Sequence, residues 1–243
     1  MRAVAVMRIA GLLLLLLACL PPHLVAKLFG RSPLPRRFLG AAGWICGARV
    51  TTTGTPLDAH SLVIANHVSW LDIFVLAGAT GTRFVSKAEI RDHPLLRWLA
   101  DQNDTIYIQR QDRLGVHNQA ADVTAALRDP RPLALFPEGA TSDGTAMLPF
   151  RPSLLAAVAP APPGTSVRPV AIDYGDERAT MGWTDPETGK ENALRILGRR
   201  GSFAVVVRLL DALPPGEDRK AMARDARAEI EAALASNPAA PGL

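Results

Sequence analysis

The stretch that most constrains the fold is Leu62-Val63-Ile64-Ala65, followed at once by Asn66-His67-Val68-Ser69-Trp70-Leu71-Asp72. The four apolar residues read as a buried strand. The heptapeptide then sets a histidine and an aspartate at a turn into a helix that continues through Ile73-Phe74-Val75-Leu76-Ala77. An α/β sheet exposes polar side chains at this carboxyl edge. Ser69 suits a helix N-cap, and Asp72 stands three residues on, as in a capping box. A helix that included both His67 and Asp72 would turn them through about 500°, off a common face. With His67 in the non-helical entry, the chain can fold back and bring the carboxylate to the imidazole. A carboxylate on one ring nitrogen fixes the tautomer and raises the basicity of the other. The pair is therefore a candidate general base. Taken alone, it would serve equally as a cap and a turn residue.

Further along, short apolar runs alternate with amphipathic ones. Strands are expected at Arg83-Phe84-Val85, Asp104 to Arg110, Leu133 to Phe136, Val167 to Asp173 and Phe203 to Leu210. Helices are expected over 71–79, 95–100, 112–128 and 218–235, and residues 176–200 read as a polar, irregular insertion with a short helix near Ala193 to Leu197. This alternation predicts an α/β fold, a sheet flanked by helices. Three polar groups follow strands: His67 with Asp72, Arg110, and Glu138 with Gly139. A base, a cation and a carboxylate beside a glycine suit a substrate with a hydroxyl and an anionic head. Each has a plainer reading: Arg110 as a solvated strand end, Glu138 as a turn residue after Pro137, and Gly139 as a left-handed backbone position. Other chemistries lack their motifs. The chain has no Gly-x-Ser-x-Gly, no phosphate loop ending in Lys-Ser/Thr, no Gly-x-Gly-x-x-Gly and no His-Glu-x-x-His. His23, His60, His93 and His117 have no metal-ligand company, and no metal is expected.

Charge and hydropathy set the N-terminus apart. Residues 1–57 carry +7 and no acid, so the rest of the chain is at −3 of the total +4. A nucleic-acid binder carries its basic stripe on the folded domain; here the body is mildly acidic, and no nucleic-acid partner is expected. Basic residues beside an apolar run suit an anionic lipid surface. The run from Ile9 to Leu20 is followed by Pro21-Pro22, expected to break it. It fits a signal peptide poorly, because no small-x-small cleavage site follows. It falls short of the roughly 20 apolar residues of a full span unless Arg8 or the prolines are included. An uncleaved anchor, spanning or shallow, is expected, with both ends on the cytoplasmic side. Cys19 and Cys46 form no metal or redox spacing and fit a reducing compartment. The expected division is 1–50, membrane anchor and basic interfacial segment, and 51–243, catalytic domain.

The ordered motifs resemble the glycerolipid acyltransferase family, of which 1-acyl-glycerol-3-phosphate acyltransferase is the type. Asn66, His67 and Asp72 match its Asn-His-x4-Asp block. Tyr107-Ile108-Gln109-Arg110 matches the second, with Asp104 where the family often has glycine. Phe136-Pro137-Glu138-Gly139-Ala140-Thr141-Ser142 matches Phe-Pro-Glu-Gly-Thr-Arg-Ser, with Ala140 and Thr141 as departures. Arg168-Pro169-Val170-Ala171-Ile172 matches the fourth. The resemblance implies a mixed α/β sheet of the glycerol-3-phosphate acyltransferase type. It makes His67 the general base and Asp72 its orienting partner. Arg110, Glu138 and Gly139, with Asn66, would bind the acceptor, and Pro169 would shape the acyl side. It implies a lyso-lipid acceptor, acyl-CoA or acyl carrier protein as co-substrate, and no cofactor. The activity implied first is formation of phosphatidic acid from 1-acyl-glycerol 3-phosphate. The missing arginine of the third block opens an alternative, O-acylation of lyso-ornithine lipid. A lipid-binding protein without activity and a hydrolase using the same base on water are the remaining readings.

Overall fold

The structure is a computed structural model. It describes the backbone of residues 2–108, 116–216 and 218–236, and their side chains except at 116–120. Arg110, expected to contact the acceptor, lies outside the described residues. In chain order the elements are α1 (Arg2–Leu28), α2 (Leu34–Ile45), β1 (Ala48–Gly54), β2 (Leu62–Ala65), α3 (Leu71–Thr80), β3 (Arg83–Lys87), α4 (Pro94–Gln102), β4 (Ile106–Ile108), α5 (Val116–Leu127), β5 (Leu133–Leu135), β6 (Val167–Asp173), α6 (Arg178–Met181), α7 (Gly189–Leu197), β7 (Phe203–Leu209) and α8 (Arg219–Ala235).

The strands form one mixed sheet in the order β1-β7-β6-β2-β5-β3-β4. β6, β2, β5, β3 and β4 run parallel, and β7 turns antiparallel to β6 and carries β1 at the edge. Parallel strands buried on both faces need continuous apolar sequence, and all four residues of β2 are buried. Alternate residues feed two cores. Val63, Ala65, Val170 and Ile172 pack with Leu71 and Val75 of α3, and Leu62, Ile64, Val167 and Ala171 pack with Val123 of α5 and Ala226 and Ile230 of α8. The sheet is thus covered on both faces, and the carboxyl ends of β2, β5 and β6 lie side by side.

Several local expectations change on folding. Pro21 and Pro22 do not end the apolar helix; α1 continues through both to Leu28. It is held on either side of them. Arg8 donates to the carbonyls of Ile196, Leu197 and Gly201, and His23 Nε2 bonds to Gln102 Oε1 at 3.2 Å. The strand expected over 104–110 narrows to Ile106–Ile108 within the described residues, and Asp104 sits at φ 52°. That left-handed angle explains why glycine suits this position, and Asp is among the residues that tolerate it. The 176–200 segment is ordered rather than irregular. Thr188 and Glu191 form a full capping box at the start of α7. Glu187 takes Arg195 in an ion pair at 2.7 Å, and Asn192 is fully buried.

Candidate active site

His67 leaves β2 at the carboxyl edge, and Asp72 is the second residue of α3. His67 Nδ1 lies 2.8 Å from Asp72 Oδ2. The same oxygen accepts Val68 N at 2.7 Å and Ser69 N at 2.9 Å. Ser69 Oγ accepts Leu71 N at 3.3 Å rather than Asp72 N, so only the Asp72 half of the expected capping box forms, and α3 is bounded one residue later, at Trp70. One aspartate therefore stabilises the helix entry and orients the imidazole. It sits at a helix N-terminus, where the dipole favours its charge.

Asp72 is fully buried, and its second oxygen accepts the Tyr174 hydroxyl at 2.6 Å. Burial and the adjacent Asp72 charge push the Tyr174 phenol well above its ordinary value, so it stays a donor. Tyr174 follows β6 directly. Asp173 beside it is held by Arg208 at 2.8 Å and Arg178 at 3.1 Å, which fixes the strand end. Tyr174 was not among the residues singled out from sequence; its one signal is its place just past the strand of the fourth motif.

With Nδ1 donating to Asp72, Nε2 carries the lone pair. It bonds to no other described residue, and the His67 side chain keeps 18% of its surface exposed. The ring lies flat on Phe136, centroids 4.2 Å apart and planes 14° off parallel, and Phe84 stacks behind Phe136. The imidazole is thus clamped by one carboxylate and one aromatic face, with its basic nitrogen turned outward. That arrangement can take a proton from a hydroxyl brought to Nε2.

Of the other expected site residues, Glu138 and Asn66 are at this edge but face inward. Glu138 is 1% exposed; Oε1 accepts His67 N at 2.6 Å and Oε2 accepts Leu148 N at 2.7 Å. Both oxygens thus tie the His67 turn to the 148 loop. Burial pushes its carboxyl up to about 7, against the pull of those two donors. Gly139 has φ 76°, the left-handed angle expected of it. Asn66 is 1% exposed, with its amide nitrogen on Ile172 O at 3.0 Å and its amide oxygen on Ile172 N at 2.8 Å. It extends the β2–β6 ladder past the end of β2. Pro169 is paired opposite Ile64, well inside the sheet. By strand alternation it shares the α8 face with Val167 and Ala171, whereas His67 lies with Phe136 on the α3 face. Thr141, where the arginine of the third motif would stand, donates to Trp183 O at 2.6 Å and so fastens the 176–200 cover over this edge.

A buried carboxylate and an oriented imidazole with an open nitrogen, with no protein nucleophile aligned with it among the described residues, are an arrangement that can act as a general base on an α/β sheet. The family model described as Acyltransferase matches residues 48–173, and the chain belongs to that family. The lyso-ornithine lipid O-acyltransferase of Pseudomonas aeruginosa is 34% identical, over 86% of this chain and 83% of that protein. The 1-acyl-sn-glycerol-3-phosphate acyltransferase of Neisseria gonorrhoeae is 35% identical over 51% of this chain and 49% of its own length. Among solved structures, the 1-acyl-sn-glycerophosphate acyltransferase of Thermotoga maritima shares the fold, with a TM-score of 0.62 over 85% of this chain and 79% of that one at 18% identity. The chain is an acyltransferase of lipid metabolism, for which the family implies a lyso-lipid acceptor and an acyl donor.

Proposed function

We propose that the protein transfers a fatty acyl chain from a thioester, acyl-CoA or acyl carrier protein, to the free hydroxyl of lyso-ornithine lipid. The observation that carries this choice over phosphatidic acid formation is Thr141. The phosphate-acceptor pattern has an arginine there, and this chain has a hydroxyl already bonded to Trp183. The extent of similarity supports it, since the relative named for lyso-ornithine lipid is matched along most of its length and the one named for 1-acyl-glycerol 3-phosphate along half.

In the reaction, His67 Nε2 takes the proton of the acceptor hydroxyl as its oxygen attacks the thioester carbonyl. The tetrahedral intermediate collapses, the C–S bond breaks, and the leaving thiolate takes the proton back from the imidazolium. Asp72 stabilises that imidazolium, and no acyl-enzyme forms. Glu138 and Asn66 hold the His67 turn in place; Arg110 remains a proposed contact to the acceptor.

The acceptor reaches the site from the bilayer. Val6, Leu13, Leu17, Leu24 and Leu28 of α1 are exposed at helical spacing, while Ala5, Arg8 and His23 on the other side are buried against the body. Such a helix suits burial in the lipid interface, and residues 1–50 are proposed as the attachment to the cytoplasmic face of the membrane.

The test is thiol release from acyl-CoA or acyl carrier protein by detergent-purified protein with lyso-ornithine lipid, lysophosphatidate or no acceptor. Release that requires lyso-ornithine lipid and vanishes in His67→Ala is expected. In Thr141→Arg, preference is expected to move toward lysophosphatidate. Wild-type preference for lysophosphatidate would return the assignment to phosphatidic acid formation, and release without acceptor would make the protein a hydrolase.

A further inference from the structure

The amino edge of the sheet, where β3 and β5 begin, carries a cavity of about 290 Å³. It is closed by the end of α1, the turn into α2, the end of α4 and the segment before β5. His67 lies past the opposite ends of the strands, so this cavity is no part of the site above. Four cations line it, Lys27, Arg31, Arg83 and Arg131, against two acids, Asp104 and Asp129.

The acids are already taken. Arg131 reaches Asp104 at 2.7 Å and Asp129 at 3.2 Å, and Arg31 reaches Asp129 at 3.2 Å. Two positive charges remain in excess, on Lys27 and Arg83. Lys27 is exposed and makes no ion pair among the described residues. Arg83 is only 4% exposed. One of its terminal nitrogens donates to Ala126 O at 2.5 Å, and its Nε–H has no partner. His23, 5% exposed, is in the same condition: Nε2 is engaged by Gln102, and Nδ1 has no partner. Gln102 Nε2 donates to Trp98 O at 2.9 Å, which leaves Oε1 as the acceptor for the His23 Nε2–H. His23 Nδ1 therefore carries a lone pair that meets no partner among the described residues.

Buried polar atoms in native proteins are nearly all paired. Two residues that line this cavity each keep a buried orphan atom, and the two uncompensated charges beside them suit an anion whose oxygens accept from a guanidinium and an ammonium. A phosphate monoester or free phosphate fits, since it brings at least three acceptor oxygens and between one and two negative charges near neutral pH. Leu28 and Phe29, 82% and 88% exposed, follow Lys27 directly and offer two apolar side chains to a lipid surface there. We propose that this cavity binds a phosphate group, presented by a lipid headgroup or as free phosphate.

Full-length protein in neutral detergent is heated in phosphate, sulfate or chloride at equal ionic strength. In parallel it is sedimented with phosphatidylcholine vesicles with and without phosphatidate. The expected result is a higher Tm in phosphate than in sulfate, or several-fold greater retention on phosphatidate vesicles. Either effect should be lost in Lys27→Gln and Arg83→Gln and kept in Arg37→Gln, which removes an exposed cation outside the cavity. Lys27→Gln decides the matter if Arg83→Gln fails to fold. A Tm effect alone assigns free phosphate, and a vesicle effect alone assigns the lipid headgroup. Equal loss in Arg37→Gln would reduce the effect to general attraction by a basic surface and overturn the proposal. So would the absence of any phosphate preference in both arms.

Discussion

At the residue scale, Asp72 is the most heavily used group in the site. Its four bonds let one substitution separate charge from geometry. In Asp72→Asn the amide oxygen can keep the three contacts of Oδ2, to His67, Val68 and Ser69, while the amide nitrogen donates to the Tyr174 oxygen in place of Oδ1. The fold should survive with little loss of Tm. The imidazolium loses its counter-charge, and kcat should fall by about 10²–10⁴-fold, the usual contribution of a positioned base, with KM little changed. A variant that unfolds would instead make Asp72 chiefly a helix cap. Glu138 gives the pH dependence. Burial raises its carboxyl to about 7 in the folded chain, above its unfolded value. The folded state therefore holds the proton more tightly. The stability this gives is complete below about pH 4.5 and is lost as pH rises through about 7. Measured against Glu138→Gln, wild-type stability should decline between about pH 5 and pH 8 by up to about 3 kcal/mol. Parallel pH profiles of the two proteins would show instead that its two N–H donors already offset burial.

At the element scale, the site depends on how α3 is seated, because α3 carries Asp72. Its seat is α2, and the two helices meet backbone to backbone: a Cβ built on Gly78 would come within 2.5 Å of Gly40 Cα. Gly78→Ala must push the helices apart, at a cost of about 1–3 kcal/mol for overpacking. Thermal unfolding should show that loss, and activity should fall further than Tm alone explains as the His67–Asp72 geometry loosens. An unchanged Tm would mean that α2 yields freely. Neither this contact nor the proline-tolerant α1 was legible in the sequence. Proline in a helix interior costs about 3 kcal/mol or more, so Pro21-Pro22 reads as a stop unless tertiary bonds on either side are known. Strands were legible where burial on both faces forces unbroken apolar runs, as at Leu62–Ala65. The His67–Asp72 pair was legible because its partners are five residues apart. Tyr174 was not, because it joins Asp72 from 102 residues away. Asn66 and Glu138 were legible as groups at the site edge, but the main-chain atoms of Ile172, His67 and Leu148 that they bond leave no trace in the sequence.

For the whole molecule, the question is how an apolar helix of 27 residues sits beside the α/β sheet. Length alone allows a span, since about 20 residues cross the hydrocarbon core. The docking argues against that geometry. Arg8 caps the carbonyl end of α7, and fifteen residues on His23 is held by Gln102 of α4. At about 1.5 Å per residue those two anchors are roughly 22 Å apart, both on the body of the protein. A helix fastened to one body at both points lies along it, and its exposed leucines face outward. The N-terminus and the catalytic domain should therefore be on the same side of the membrane. Single cysteines introduced in a Cys19→Ser, Cys46→Ser background, as Arg2→Cys and as Asp218→Cys, test this with a membrane-impermeant maleimide. In inside-out vesicles both should be labelled, and in right-side-out vesicles neither, until detergent is added. Labelling of the Arg2 position from the opposite side to the Asp218 position would mean that α1 crosses the bilayer. In that case the Arg8 and His23 bonds could not both hold in the membrane. Arg8→Met would then leave stability unchanged, whereas a helix lying along the domain should lose about 1–3 kcal/mol with that guanidinium.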